Sequence, residues 1–121
     1  MGKHVLLIED EPNIVEAITF ILQQDGWRVT AQSDGARALA AIAETVPDLV
    51  ILDVMLPGRS GFEILQDLRS DAATRDLPVL MLTAKGQARD REAAERLGAS
   101  LYMTKPFSNS EMLEAVRGLA P

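Results

Sequence analysis

Cysteine is absent from the 121 residues, so disulfides, thiolate metal sites and cysteine nucleophiles are excluded. Aromatic residues make up only 4%. A core must therefore be built from Leu, Ile, Val and Ala, which suits helices packed on a parallel sheet. No apolar run approaches the ~18 residues of a membrane helix, and no basic stretch leads into an apolar one as in a secretory signal. A cytoplasmic, membrane-free protein is the expectation by elimination. Clustered Lys and Arg are also missing and the formal net charge is −6. Direct nucleic-acid binding by this chain is therefore not expected. One domain, residues 1–121, fits the length.

What is present is a repeated pattern. His4 to Ile8 and Leu49 to Leu52 are short apolar, β-branched runs that read as strands buried on both faces. Leu77 to Leu82 is a third, and Leu101 to Met103 a shorter last strand. Trp27 to Ala31 alternates like an edge strand. Between them, apolar residues recur at helical spacing. Pro12 opens helix 1, about 12–25, with Ile14, Val15, Ile18, Ile21 and Leu22 inward and Gly26 as its stop. Ser33 or Asp34 caps helix 2, with Ala38, Leu39 and Ile42 inward. Helix 3 carries Phe62, Leu65 and Leu68. Helix 4, about 87–97, has a thin face of Ala93, Ala94 and Leu97. Helix 5 opens on a capping box, Ser108 with Glu111, and turns Met112, Leu113, Val116 and Leu119 inward. Alternating strands and helices with short connections predict an α/β, (βα)5 doubly wound parallel sheet of flavodoxin-like type, strand order 2-1-3-4-5.

In such a sheet, ligands bind beyond the carboxyl ends of the strands where the strand order reverses. Strand 1 ends in Glu9 and Asp10, strand 3 in Asp53, strand 4 in Thr83, and Lys105 follows strand 5. Three carboxylates that close repel one another. Mg²⁺ relieves this, because it accepts a few carboxylate or carbonyl oxygens, keeps waters and pairs with phosphate. Lys105 adds a fixed positive charge for an anion, and Thr83 a donor. The set is suited to a phosphoryl group, with Asp53 the candidate nucleophile because no histidine is at hand to activate Thr83. Taken singly, a strand-end Asp is a turn former, Thr83 a cap and Lys105 a solvated charge. Their joint placement argues for function.

Glu9-Asp10, Asp53 within ILDVMLPGRSG, Thr83-Ala84 and Lys105-Pro106-Phe107 together resemble the receiver domain of two-component response regulators, the CheY-like family, over essentially the whole chain. The resemblance implies that Asp53 is the phosphoacceptor. Asp10, Asp53 and the Met55 backbone carbonyl would bind Mg²⁺, with Glu9 acting through a coordinated water. Lys105 would pair with Asp53 and then with phosphoryl oxygens. Thr83 would hydrogen-bond the phosphoryl group, backed by the backbone at Met55 and Ala84. Tyr102 would turn inward as Thr83 moves, and the Lys105–Pro106 bond would be cis. The donor would be a sensor histidine kinase or a histidine phosphotransfer protein. The chain itself would catalyse only its own phosphorylation and dephosphorylation. The output would be a switched helix 4–strand 5–helix 5 face offered to a downstream protein or effector domain. A phosphorylation-dependent homodimer through that face is a further partner the resemblance implies, but Ser100-Leu101 stands where many transcription-factor receivers carry the acids of its salt bridges, so Leu101 would add an apolar contact there instead.

Simpler readings apply elsewhere. Glu11 serves the helix 1 dipole. His4, Trp27 and Phe20 are packing residues, and Arg89, Arg91 and Arg96 belong to a solvated face of mixed charge. Met55 and Lys85 flank the path of attacking water, and an apolar Met55 cannot orient it, which predicts a long-lived phosphoaspartate. Three alternatives stand beside this reading. A flavin binder would need a Gly-rich phosphate loop after strand 1. An Asp-nucleophile phosphohydrolase would need a second acid near Asp53 and a substrate cap. A phosphorylation-independent scaffold would not need the intact acid, Thr and Lys set.

Overall fold

The computed structural model describes residues 3–84 and 88–120. The elements alternate: β1 (His4–Ile8), α1 (Pro12–Gln24), β2 (Arg28–Gln32), α2 (Ala38–Thr45), β3 (Leu49–Asp53), α3 (Gly61–Ser70), β4 (Val79–Ala84), α4 (Ala88–Leu97), β5 (Leu101–Lys105) and α5 (Asn109–Leu119). All neighbouring strands pair in parallel, in the order β2-β1-β3-β4-β5. The expected fold class is thus the observed one.

Every residue of β1 and β3 is buried, as expected of central parallel strands covered on both faces. Alternate side chains feed two cores. Val5, Leu7, Leu49, Ile51, Leu80 and Leu82 pack with α1 and α5 on one face. Leu6, Ile8, Val50, Leu52, Val79 and Met81 pack with α2, α3 and α4 on the other. Two helices open on reciprocal capping boxes, Ser60 with Glu63 for α3 and Ser108 with Glu111 for α5. Each cap residue is worth ~1 kcal/mol. The α5 box is the one expected. The α3 box has the same Ser-x-x-Glu signature, which the sequence reading passed over.

Several local expectations shift. β2 covers 28–32 rather than 27–31, and Trp27 drops into the core before it. β4 starts at Val79 rather than Leu77. Asp34 caps a 3₁₀ turn, Gly35–Arg37, and α2 begins only at Ala38. The Asp34 side chain accepts from the Ala36 N–H, and the turn tightens accordingly. Ile64, unremarked in the sequence, is fully buried, whereas Phe62 is half-buried. Phe20 is 60% exposed rather than packed. It lies two residues from Ile18, about 200° around the helix from the buried stripe. His4 is structural, as expected: its Nε2 lies 2.6 Å from the Thr30 hydroxyl and its backbone N–H donates to Asp48 Oδ2 at 2.8 Å. Among the described residues, no helix is long and apolar enough to cross a membrane.

Candidate functional site

β1 and β3 are adjacent, and the chain departs to β2 on one side and to β4 on the other, so their carboxyl ends frame the crevice. Register brings Ile8 opposite Leu52 and Asp53 opposite Leu82. Glu9 and Asp53 therefore emerge at one level and Thr83 one residue beyond it, with Ala84 opposite Lys105 on the next strand pair. One carboxylate oxygen from each of Glu9, Asp10 and Asp53 lies within 4.8 Å of the others. Glu9 and Asp53 are buried and Asp10 is exposed, so the cluster opens to solvent on Asp10's side.

Lys105 Nζ joins this cluster. It stands 2.8 Å from Glu9 Oε1, 3.0 Å from Glu11 Oε1 and 3.2 Å from Asp53 Oδ2. The Glu11 contact corrects the sequence reading. Glu11 occupies the N-cap position of α1, but its side chain makes no cap bond and reaches Lys105 instead. Nothing in the local sequence signals that contact, because the partners are 94 residues apart.

The electrostatics follow from burial. Loss of hydration raises the Glu9 carboxyl to about 7, against the lowering effects of Lys105 and the Glu11 N–H. Burial by itself would lower the Lys105 ammonium. The carboxylates of Glu9, Glu11 and Asp53 outweigh it and hold Lys105 above its ordinary value. Glu9 Oε2 accepts the Glu11 N–H at 3.1 Å, and buried Oε1 is ion-paired with Lys105 Nζ at 2.8 Å. Three carboxylates brought this close, two of them buried and with one ammonium among them, are a donor set that a hard divalent cation suits. The residues present fit such an ion.

Asp53 is held by its own turn. Its Oδ1 accepts the Met55 N–H at 3.2 Å, and the Val54 N–H donates to the Leu82 carbonyl at 2.9 Å. The Met55 side chain is 73% exposed at the mouth. The Lys105–Pro106 peptide bond is cis. Lys85, singled out in the sequence, lies outside the described residues.

Thr83 is 1% exposed, and its hydroxyl donates to Asp90 Oδ2 on α4 at 3.2 Å. Asp90 was read as one charge among many, and the sequence carries no signal that it meets Thr83. Tyr102 is half-buried on β5, with the Arg91 guanidinium 5.3 Å from its ring centroid, so Arg91 is more than a solvated charge. Ser100 has a structural task of its own. Its Oγ accepts the Val79 N–H at 3.0 Å and meets Arg69 Nη2 at 3.4 Å, tying β4 to the turn before β5.

Comparison with known proteins agrees with this architecture. Residues 5–117 match the family model described as the response regulator receiver domain. The phosphate regulon transcriptional regulatory protein PhoB of Escherichia coli (strain K12) is 40% identical over 119 residues, which is 98% of this chain and 52% of that protein. The chain thus spans about half the length of the curated relative it matches. The BeF3-activated N-terminal receiver domain of RstA from Klebsiella pneumoniae superposes with a TM-score of 0.89 at 30% identity, covering 97% of each chain. The receiver domain of the sensor histidine kinase PA1611 from Pseudomonas aeruginosa PAO1, solved with a magnesium ion coordinated in its active-site cleft, superposes at 0.90 and 29% identity, covering 99% of this chain and 98% of that one. Sheet order, strand-end acids and these likenesses converge: the chain belongs to the receiver-domain family of two-component response regulators.

Proposed function

We propose that Asp53 accepts a phosphoryl group from a phosphohistidine on a sensor histidine kinase or a histidine phosphotransfer protein. The observation that carries this reading is the meeting of Glu9, Asp10 and Asp53 oxygens within 4.8 Å while Lys105 contacts Asp53. Asp10, Asp53 and the Met55 backbone carbonyl would hold Mg²⁺, with Glu9 behind them through a coordinated water. When bound, the ion supplies positive charge against the crowded carboxylates and the transferring phosphoryl oxygens.

The rest is done by the chain. A carboxylate oxygen of Asp53 forms the new P–O bond as the P–N bond of the donor breaks, and the imidazole leaves with that electron pair. Asp53 is pre-positioned by the Met55 N–H and Lys105. Lys105 then follows the charge onto the phosphoryl oxygens, and backbone groups at Met55 and Ala84 support it. The Thr83 hydroxyl turns to the phosphoryl group, and Tyr102 follows. The α4–β5–α5 face is thereby altered for a downstream protein or effector domain. The driving force is the phosphoryl group's strong acceptor oxygens, which carry up to about two negative charges where the Asp53 carboxylate carried one.

The test is incubation with Mg²⁺ and acetyl phosphate, followed by intact mass measurement. One added phosphoryl group is expected, absent in Asp53→Asn and when Mg²⁺ is chelated. Mg²⁺ alone is expected to raise the thermal midpoint of the wild type and not of Asp10→Asn. Labelling that persists in Asp53→Asn would overturn the assignment.

A further inference from the structure

We propose that Asp90 is an internal competitor for Thr83: it holds the Thr83 hydroxyl proton in the unphosphorylated chain, and a phosphoryl group on Asp53 must take that proton from it, releasing the first turn of α4. The proposal rests on the reading of Asp53 and Thr83 above and adds to it a residue that couples them to the helix.

A threonine hydroxyl has one proton to donate. Here that proton points to Asp90 Oδ2 at 3.2 Å, from a side chain that is almost wholly out of water. Thr83 sits one residue beyond the position paired with Asp53, so it has two anionic neighbours to choose between. The bond to a carboxylate is charge-assisted. A phosphoryl group offers more charge and more acceptor oxygens. The two acceptors also repel each other, so both cannot hold one hydroxyl cheaply.

What Asp90 stands on matters equally. It lies in the first turn of α4, near the start of a helix whose described fully buried side chain is Ala94, with Ala93 and Leu97 half-buried. The other end of α4 is tied down. Arg69 Nε donates to the Gly98 carbonyl at 2.8 Å, and the Ala99 N–H donates to the Ala94 carbonyl at 2.9 Å. Freeing Asp90 therefore loosens one end of a lightly packed helix while its far end stays held. The geometry is that of a pivot, with Arg69 at the fulcrum and Thr83–Asp90 as the catch. Linkage then requires that removing the catch strengthens phosphoryl binding by the same factor that phosphoryl binding weakens the catch.

The probe is beryllofluoride with Mg²⁺, its affinity measured calorimetrically, with hydrogen exchange of the α4 amides followed in parallel. Asp90→Ala is expected to bind beryllofluoride about three- to tenfold more tightly than wild type, the scale of the net contribution of one ordinary hydrogen bond. Asp90→Asn, which keeps an uncharged acceptor, is expected to fall between. In the Thr83→Ala background, Asp90→Ala is expected to change the affinity by less than about twofold, because the shared hydroxyl is gone. Beryllofluoride is expected to speed exchange at the start of α4 in wild type, and to add little in Asp90→Ala. A purely structural role for Asp90 at the helix start would alter exchange in both backgrounds and leave the coupling to Thr83 at zero. If wild type binds beryllofluoride and Asp90→Ala binds it no more tightly, the competition is refuted while the Asp53 reading stands. A gain that survives in Thr83→Ala refutes it equally. If wild type fails to bind the probe at all, the Asp53 reading falls and takes this inference with it.

Discussion

Gly61 rests against the main chain of Asp53 so closely that any Cβ at position 61 would overlap the Asp53 carbonyl oxygen. The Gly61 N–H also donates to the Val54 carbonyl at 2.9 Å. The start of α3 is thus pressed onto the turn that aims the candidate phosphoacceptor.

Gly61→Ala is expected to destabilise the fold by about 1–3 kcal/mol, because backbone atoms must move apart to admit the methyl group. It is also expected to slow acetyl-phosphate labelling of Asp53 under conditions where the protein remains folded. Urea midpoints and intact mass check the two effects. A midpoint equal to that of wild type would show that the turn yields without cost.

Val46 is a β-branched residue in the left-handed region, φ 46°, and its side chain is 77% exposed. It ends α2, its N–H donating to the Ile42 carbonyl, and it precedes Pro47. The conformation costs such a residue roughly 1–2 kcal/mol, and no buried contact repays it. Val46→Asn is expected to raise stability by about 1 kcal/mol, read as a higher urea midpoint at unchanged slope. A lower midpoint would mean that Val46 makes contacts its exposure does not suggest.

Arg117 on α5 donates to both carboxylate oxygens of Asp25, just past the end of α1. The Arg117 guanidinium holds Asp25 below its ordinary 3.8. The folded value is lower than the unfolded one, so folded chains bind fewer protons through that window. The stabilisation is therefore fully present above the ordinary value and is lost as the pH falls through the lower, folded one. Wild type and Arg117→Gln are expected to differ in urea midpoint at neutral pH and to converge in acid. A gap that stays constant into acid would assign the effect to packing instead.

The phosphoryl group on Asp53 is expected to last minutes to hours. Met55 stands at the mouth of the site with a thioether that cannot orient an attacking water. Met55→Asn supplies an amide that can, and is expected to shorten the lifetime. Loss of label from purified phosphoprotein measures both, and decay of the wild type within seconds would sink the idea.

The central strands were legible because a parallel strand covered on both faces must be apolar throughout, and HVLLI and LVILD are. The acids at their ends were legible for a related reason: Glu9, Asp10 and Asp53 follow those runs directly, and the strand order then brings them together. The edges were harder. β2 holds no fully buried residue, only half-buried Val29 and Gln32, and a turn capped by Asp34 delays α2, so neither boundary is marked by a long apolar period. Phe20 could have been read correctly, since its angle from Ile18 turns it off the buried stripe.

The amino-acid order by itself thus determined the layers, the sheet and which polar groups reach its rim, because those follow from periodicity and from the limited ways of connecting parallel strands. Only the tertiary structure decided that Lys105 is shared among Glu9, Glu11 and Asp53, and that Thr83 faces Asp90. Those choices depend on side chains from separate elements meeting at hydrogen-bond distance, and no local pattern encodes a distance across a crevice.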